Sequence, residues 1–166
     1  ILPFSVAITE KEIGEISKFV KAGGVLIADG QAGVMDGHAK WLARGSLEEL
    51  FGVSRSSPAR EQQIASSEPE AQVRASEGKA LATLQGIPVL IVNRHGKGTA
   101  IYLNFFLSSY VEDRRDRKEG RWKELLSRAL SQVGIKASFQ VLGGGGQPLD
   151  SFLLVSYRAG SARYLG

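Results

Sequence analysis

The stretch GGVLIADG, residues 23–30, decides the expected fold, because it sets a short apolar run between two glycine-containing breaks. Two successive glycines end a helix easily, since glycine adopts the left-handed backbone conformation that helix termini use. The run Val25-Leu26-Ile27-Ala28 is uniformly apolar, which is typical of a strand buried on both faces of a sheet. The stretch therefore predicts a helix that stops at Gly23 and a buried strand directly after it.

A helix is predicted just upstream, over about residues 10–21. Thr9 can cap its N-terminus, and Glu12, three residues later, completes a capping box. Apolar residues recur at helical spacing on one face, as expected for a helix that packs on a sheet. Residues 1–4 resemble the end of a buried strand, so strand, helix and strand form a βαβ unit with a right-handed crossover and parallel strands. These features predict a doubly wound α/β fold with a mostly parallel sheet and helices on both faces.

A second pair of strands is predicted from the apolar runs at residues 87–92 and 99–105. The six residues between them are too few for a crossover helix, so the pair must be an antiparallel hairpin, which we expect at one edge of the sheet. The polar segment 54–79 is expected to form a long excursion or irregular strands.

Two more helices and a last hairpin complete the expected elements. Ser46 can cap a short helix over residues 47–51, and apolar residues on one face predict a helix over about residues 121–133. Four glycines at residues 143–146 are typical of a flexible linker. A hairpin is then expected between residues 152 and 165.

Composition excludes several classes of function. The chain has 166 residues, and its 21 Lys and Arg against 17 Asp and Glu give a net charge of +4, an excess too small to favour nucleic-acid binding. It has no cysteine and two histidines, which excludes a thiolate or three-histidine metal site and a cysteine nucleophile. No apolar run approaches the ~20 residues of a membrane-spanning helix. No nucleotide-binding, serine-hydrolase or zinc-protease motif occurs, so no cofactor or metal is predicted.

Four candidate binding residues follow the predicted strand. Asp29 stands where open parallel sheets bind their ligands, although such a residue more often caps a loop by accepting hydrogen bonds from backbone amides. Asp36 and His38 form either a candidate acid–base pair or, more commonly, part of a solvated loop. Trp41 is suited to stacking on a sugar, to filling an intersubunit contact or to local packing.

The predicted hairpin supplies two further candidates at its tip. Arg94 and His95, with Lys97 nearby, form a small cationic group that could bind a phosphate or a partner's carboxylate. The commoner alternative is a solvated turn, in which Gly96 and Gly98 supply the positive φ angles that tight hairpin turns require.

Two stretches carry a resemblance to a known family. The first runs from TEKE (9–12) through FVKAGGVLIADG (19–30), Gly33 and Asp36-Gly37 to LEELFGV (47–53), and the second is PVLIVNRHGKGTAIYLNF (88–105). Together they resemble the trimerisation domain of family 42 β-galactosidases, which belongs to a glutamine-amidotransferase-like, flavodoxin-like group. The resemblance implies a flavodoxin-like three-layer α/β sandwich in a noncatalytic domain that follows a catalytic barrel and mediates assembly.

The same resemblance implies two domains. Residues 1–140 are expected to form the glutamine-amidotransferase-like α/β domain, and residues 141–166 a glycine linker and a β-hairpin that begins a following β segment. We expect the chain to be an N-terminally truncated piece of a longer polypeptide. The amidotransferase reaction is not carried over, because its nucleophile is a cysteine and this chain has none.

Two functions from different classes follow. The first is a noncatalytic oligomerisation domain of a larger glycoside hydrolase, which self-associates in the parent protein. The second is a small-ligand or carbohydrate-binding domain that uses the crevice at the carboxyl ends of the parallel strands. Neither function predicts a nucleic-acid or membrane partner.

Overall fold

Three helices and eight strands are found in the residues that the structure, a computed structural model, describes: 1–59, 68–108, 120–135, 141–147, 156–159 and 162–165. The helices are α1 (Glu10–Lys21), α2 (Glu48–Phe51) and α3 (Gly120–Gln132). The strands are β1 (Val25–Ala28), β2 (Val53–Arg55), β3 (Val73–Ala75), β4 (Lys79–Leu84), β5 (Ile87–His95), β6 (Gly98–Leu103), β7 (Ser156–Ala159) and β8 (Ala162–Leu165). The chain divides into two compact units, Ile1–Val133 and Gly134–Gly166.

The helix and strand predicted around residues 23–30 are confirmed as α1 and β1. Thr9 caps α1: its hydroxyl accepts a hydrogen bond from the Glu12 amide at 3.3 Å, and the Glu12 carboxylate accepts one from the Thr9 amide at 2.8 Å. Beyond the other end, Gly23 has a φ of 117°, which only glycine adopts readily. Both ends of α1 are therefore fixed by local sequence.

The main sheet has the strand order β1-β6-β5-β4, and only its β1–β6 pair is parallel. Leu2 adds a single parallel bridge to Ala28 where a strand was expected over residues 1–4. The other described sheets, β2–β3 and β7–β8, are antiparallel pairs. The predicted flavodoxin-like three-layer sandwich with a mostly parallel sheet is therefore wrong. The first unit is a small mixed α/β domain whose strands pair mainly in antiparallel fashion.

The fold prediction was wrong because of where the β5–β6 hairpin lies. It was expected at an edge of the main sheet, and it lies in the middle of that sheet. All six residues of β6 are buried, so this strand takes partners on both sides, β1 on one and β5 on the other. Gln85 and Gly86 join β4 to β5 with φ angles of 50° and 80°, as in the two-residue turns that connect antiparallel strands. The predicted βαβ unit is present only as the parallel bridge between Leu2 and Ala28, and the hairpins β4–β5 and β5–β6 make the rest of the sheet mainly antiparallel.

Apolar residues form one core on each face of the main sheet. On one face, Val20 of α1 and Phe51 of α2 pack in a cluster with Tyr102 of β6. On the other face, Leu125 and Ala129 of α3 pack in a cluster with neighbouring residues of the same strand, such as Leu103. This division follows from the alternation of side chains along a strand.

The remaining expected elements are mostly confirmed, with one local correction. The helices α2 and α3 and the hairpin β7–β8 are present, although the first strand of that hairpin was expected over residues 152–155, which lie outside the described residues. Ser46 does not cap α2, because its hydroxyl donates to the Gly33 carbonyl oxygen at 2.9 Å instead. Among the described helices, none has the length and apolar character needed to cross a bilayer.

Two glycines should respond in opposite ways to replacement by alanine. A Cβ at Gly98 would overlap the carbonyl oxygens of Val20 and Gly24, where α1, β1 and β6 meet, whereas a Cβ at Gly14 in α1 meets no atom within 4 Å. We expect Gly98→Ala to lower the free energy of unfolding by about 2 kcal/mol or more, and Gly14→Ala to raise it by about 1 kcal/mol. Urea unfolding followed by circular dichroism measures both, and equal effects would contradict this packing.

Candidate functional site

The carboxyl ends of the two parallel strands meet at one edge of the main sheet. β1 continues into Asp29, Gly30 and Gln31, and β6 continues into Asn104 and Phe105. The Gly30 amide donates a hydrogen bond to the Phe105 carbonyl oxygen at 2.9 Å, which joins the two continuations. Ligands of open parallel sheets bind beyond this edge. The buried polar side chains of Asp29, Gln31 and Asn104 are gathered at the same place.

Beside this edge lies a buried group of four side chains, Glu48, Arg55, Glu70 and Tyr102, called the ion cluster below. Only 4% of the Arg55 side chain is exposed. Its Nη1 donates to Glu48 Oε1 at 2.9 Å, its Nε donates to the two carboxylate oxygens of Glu70 at 3.0 and 3.1 Å, and its Nη2 donates to the Tyr102 hydroxyl at 2.8 Å. One guanidinium therefore joins α2, β2, the segment before β3, and β6.

The local sequence explains why Arg55 is buried. Residues two apart in a strand point to the same side, and Val53, two residues earlier in β2, is fully buried in the core. The strand that buries Val53 thus also directs Arg55 inward. Glu48 is buried because it lies in the short helix α2 between the core residues Leu47 and Leu50.

The charges of the ion cluster stabilise one another. Burial acts to lower the pKa of Arg55, but the electrostatic influence of Tyr102 and Glu70 and the hydrogen bonds to both glutamates outweigh it, so the pKa of Arg55 is raised. Burial raises the pKa of Tyr102, which keeps the phenol neutral at physiological pH. The arrangement keeps Arg55 positively charged, and the carboxylates of Glu48 and Glu70 remain bound to it.

A cavity of about 140 Å³ lies next to the ion cluster. Its lining comes from the residues after β1 and β6 and from the segment before β3, and it includes Gln31, Glu68, Glu70, Gln72, Asn104 and Phe106. Asn104 secures this wall, because its side-chain nitrogen donates to the Glu70 carbonyl at 3.0 Å and its side-chain oxygen accepts from the Glu70 amide at 3.2 Å. Glu70 is therefore fixed at its side chain by Arg55 and at its backbone by Asn104.

Gln31 is the unusual residue of this cavity. Only 1% of it is exposed, and neither its side-chain oxygen nor its side-chain nitrogen has a hydrogen-bond partner in the part of the chain that the structure describes. Its backbone amide is paired, since it donates to the Tyr102 hydroxyl at 3.0 Å. An amide offers one acceptor and two donor hydrogens, and in Gln31 these groups are left unsatisfied among the described residues.

Asp29, the first residue predicted from the sequence, is completely buried and is not among the residues that line the cavity. Its two carboxylate oxygens accept hydrogen bonds from the backbone amides of Phe4, at 2.7 Å, and Leu107, at 3.0 Å. Burial raises the pKa of Asp29, and these hydrogen bonds oppose the rise. The carboxylate thus joins the chain segment before α1 to the segment after β6.

Asp36 and His38 lie together in a different place, a cleft near the start of α1. Asp36 Oδ1 accepts hydrogen bonds from the backbone amides of Lys40 and His38, at 3.0 and 2.9 Å, and these bonds lower the pKa of Asp36. His38 is exposed, and Trp41 is half-buried and forms an antiparallel bridge with Met35. Asp36 organises a turn here, through the backbone of His38 and not its imidazole.

Arg94 and His95 lie at the opposite end of the main sheet from the cavity. Their hairpin tip precedes β6, whose first residues pair with the start of β1, as in Thr99 opposite Val25. Arg94 is exposed and His95 is half-buried. The structure therefore separates the six predicted residues into three places: Asp29, the loop that holds Asp36, His38 and Trp41, and the hairpin tip.

The residues that form the ion cluster and the cavity were not predicted from the sequence. For two of them the sequence offered a clue. Arg55 lies two positions after Val53, so both point to the same side of the strand, and Tyr102 brings a hydroxyl that needs a hydrogen-bond partner into an apolar strand. Gln31 and Glu70 carried none, because their partners or their burial depend on residues far away in the chain. Among the described residues, no group of three or more His, Cys, Asp or Glu side chains could hold a metal ion.

Removal of the central guanidinium tests the ion cluster. Arg55→Met leaves two buried carboxylates without their partner, so we expect it to lower the free energy of unfolding by about 3–5 kcal/mol. Arg44→Met is the matched control, because the Arg44 side chain is 69% exposed while it contacts Glu48 at 3.4 Å, and it should change stability by less than about 1 kcal/mol. Chemical unfolding measures both, and a small effect of Arg55→Met would contradict the description above.

The comparisons with known proteins place this fold within larger enzymes. The sequence matches no family model and no curated protein. Similar solved structures include a β-galactosidase from Bacillus circulans sp. alkalophilus, with a TM-score of 0.64 and 16% identity over 98% of this chain and 26% of that chain. A catalytic mutant of a GH42 β-galactosidase from G. stearothermophilus gives a TM-score of 0.63 and 17% identity, covering 98% of this chain and 25% of that one.

A β-galactosidase from Rahnella sp. R3 is similar over 93% of this chain and 24% of its own, with a TM-score of 0.56 and 19% identity. This chain thus spans about a quarter of the length of the enzymes that it resembles. At these identities the likeness is one of fold. The chain has the fold of a region found in GH42 β-galactosidases.

Proposed function

We propose that this chain is a noncatalytic structural domain of a larger, β-galactosidase-like glycoside hydrolase, and that it mediates self-association of the parent protein. The observation that carries the proposal is the likeness to β-galactosidases over 98% of this chain but only about a quarter of theirs. A segment of that size corresponds to one domain of a multidomain enzyme. The sequence resemblance to a trimerisation domain supports assembly as its role.

The state of the acidic side chains supports a noncatalytic role. Glycoside hydrolysis requires two carboxyl groups that face a sugar, one of which must donate a proton. The closely placed acids of the ion cluster, Glu48 and Glu70, are 4% and 6% exposed and both bind Arg55. Asp29 is occupied by two backbone amides. These carboxylates are committed to structural contacts.

Exposed aromatic side chains support self-association. In the first unit, Phe19 on α1 is 55% exposed and Phe4 is 53% exposed. Aromatic residues are enriched at the centres of protein–protein interfaces, and large apolar side chains on a surface often mark such sites. The ring of Phe19 packs against Gly24, where an added Cβ would overlap it. This contact helps to hold the exposed ring in place.

The oligomeric state tests the proposal. We expect size-exclusion chromatography with light scattering to give the mass of an oligomer of the 17.9 kDa chain and not that of a monomer. The resemblance implies three copies. The same sample should not hydrolyse a nitrophenyl β-galactoside. A strict monomer, both for this chain and for the longer polypeptide that contains it, would contradict the assembly role, and turnover by this chain alone would contradict the noncatalytic one.

A pair of variants on α1 tests the surface. Phe19→Asp places a charge in the proposed contact, so dissociation should occur at concentrations at least about tenfold higher than for the parent sequence. Lys11→Asp puts the same side chain at another exposed position of α1 and should leave the assembly unchanged. Dilution series analysed by light scattering compare the two, and equal behaviour would exclude Phe19 from the interface.

A further inference from the structure

Phe4 combines a strained backbone with an exposed ring. Its φ of 49° lies in the left-handed region, where a bulky side chain is a genuine outlier. Because Phe4 is 53% exposed, burial of the ring does not account for this strain. A strained conformation persists only when its surroundings impose it, and such conformations cluster at functional sites.

The carboxylate of Asp29 supplies a contact that holds Phe4. Asp29 Oδ1 accepts a hydrogen bond from the Phe4 amide at 2.7 Å, and Oδ2 accepts one from the Leu107 amide at 3.0 Å. Hydrogen bonds to an ionised carboxylate are about twice as strong as those between neutral groups. Asp29 is completely buried, and a buried charge is costly unless it is hydrogen-bonded. The carboxylate therefore depends on both amides and keeps Phe4 in place.

The backbone is also fixed on either side of Phe4. The Leu2 amide donates to the Ile27 carbonyl oxygen at 2.8 Å, and the Gly33 amide donates to the Ser5 carbonyl oxygen at 2.9 Å. Between these two points, the backbone conformation of Phe4 determines where its ring lies.

The ring of Phe4 rests on a second ring that the same carboxylate positions. The ring centroids of Phe4 and Phe106 are 5.3 Å apart, within the range of favourable aromatic pairs. Phe106 is buried and directly precedes Leu107, whose amide binds Asp29. One carboxylate thus fixes both the exposed ring and the buried ring beside it.

Phe4 belongs to the same surface as Phe19, the residue proposed above as an association contact. Phe4 lines a largely apolar cleft together with Leu2, Val6 and Ile16 of α1. Residues three apart are neighbours on the surface of a helix, so Phe19 continues this surface one turn beyond Ile16. The two exposed aromatic side chains therefore border one apolar surface.

From these contacts we propose that Asp29 is a positioning residue for self-association: its carboxylate holds Phe4 in the left-handed conformation and thereby presents the Phe4 ring to a second copy of the chain. A second copy fits this surface because the surface carries both an exposed ring and an apolar cleft, as a self-complementary contact requires. The proposal rests on the association role proposed above, so the experiments separate the conformation of Phe4 from the association of the chain.

NMR on the unaltered chain and on Asp29→Asn tests the conformation of Phe4. Asparagine keeps the shape of aspartate, but one of the two acceptor oxygens is replaced by a donor. Of the two amides bound to Asp29, that of Phe4 should be released, because its release relieves backbone strain. The intraresidue NOE between the amide proton and Hα is strong at positive φ, so it should be strong for Phe4 in the unaltered chain and weak in Asp29→Asn. Gln85, with a φ of 50° in the β4–β5 turn, should keep a strong NOE in both and shows that the fold is retained.

Light scattering of dilution series then compares self-association between variants. Asp29→Asn should raise the dissociation constant at least about tenfold, as Phe4→Ala should. The double variant should associate no more weakly than Phe4→Ala alone, because both changes remove the same contact. Asp36→Asn is the matched control, since Asp36 also binds two backbone amides, those of His38 and Lys40, but does not line the cleft beside Phe4. It should leave association unchanged.

Phe4→Gly decides the matter if Asp29→Asn does not fold. Glycine adopts the left-handed conformation without strain, so this variant keeps the contact with Asp29 and loses only the ring. It should fold and associate at least about tenfold more weakly than the unaltered chain. Unchanged association of Phe4→Gly would contradict the proposal.

Three further results would overturn the proposal. The first is a strong Phe4 NOE in Asp29→Asn, or a weak one in the unaltered chain. The second is weaker association of Phe4→Ala without weaker association of Asp29→Asn, which would leave the association role itself intact. The third is unchanged association of Phe4→Ala, which would assign this surface to a partner other than a second copy. If neither the chain nor the longer polypeptide associates, the association role fails and this proposal with it, while the Phe4 NOE still reports the contact with Asp29.

Discussion

The buried guanidinium of Arg55 is the contact on which the arrangement of this domain depends. It is the point at which four segments meet: α2 through Glu48, β2 through Arg55 itself, the segment before β3 through Glu70, and β6 through Tyr102. Removing these charges from water is unfavourable, and only their mutual pairing makes burial tolerable. A cluster of this kind specifies one arrangement of its segments, because any displacement leaves a charge unpaired in the interior.

The ion cluster also connects the cavity with the buried carboxylates of Glu48 and Glu70. It holds Glu70, and with it one wall of the cavity, while the Tyr102 hydroxyl accepts a hydrogen bond from the backbone amide of Gln31, which also lines the cavity. The same pairing keeps Glu48 and Glu70 away from acid–base chemistry. A single set of contacts thus fixes both the buried carboxylates and one wall of the cavity.

Local signals in the sequence predicted the elements well, and long-range contacts limited the rest. The capping box of Thr9 and the glycines after α1 act within a few residues, so α1 and β1 could be located. The sheet order could not, because the hairpin β5–β6 shows the direction of its own pair but not where it inserts. The same limit applies to the ion cluster, because Arg55 and Tyr102 lie 47 positions apart in the sequence. Asp29 was predicted as a binding residue from its position after a strand, but in the structure its carboxylate binds backbone amides.

A double-mutant cycle between Arg55 and Glu70 tests the central claim most directly. The free energies of unfolding of the parent chain, Arg55→Met, Glu70→Gln and the double variant give the coupling between the two side chains, separate from the effect of each change alone. A desolvated pair that organises the domain should show a coupling of about 1.5 kcal/mol or more. A coupling below about 0.5 kcal/mol, as exposed ion pairs give, would contradict the account.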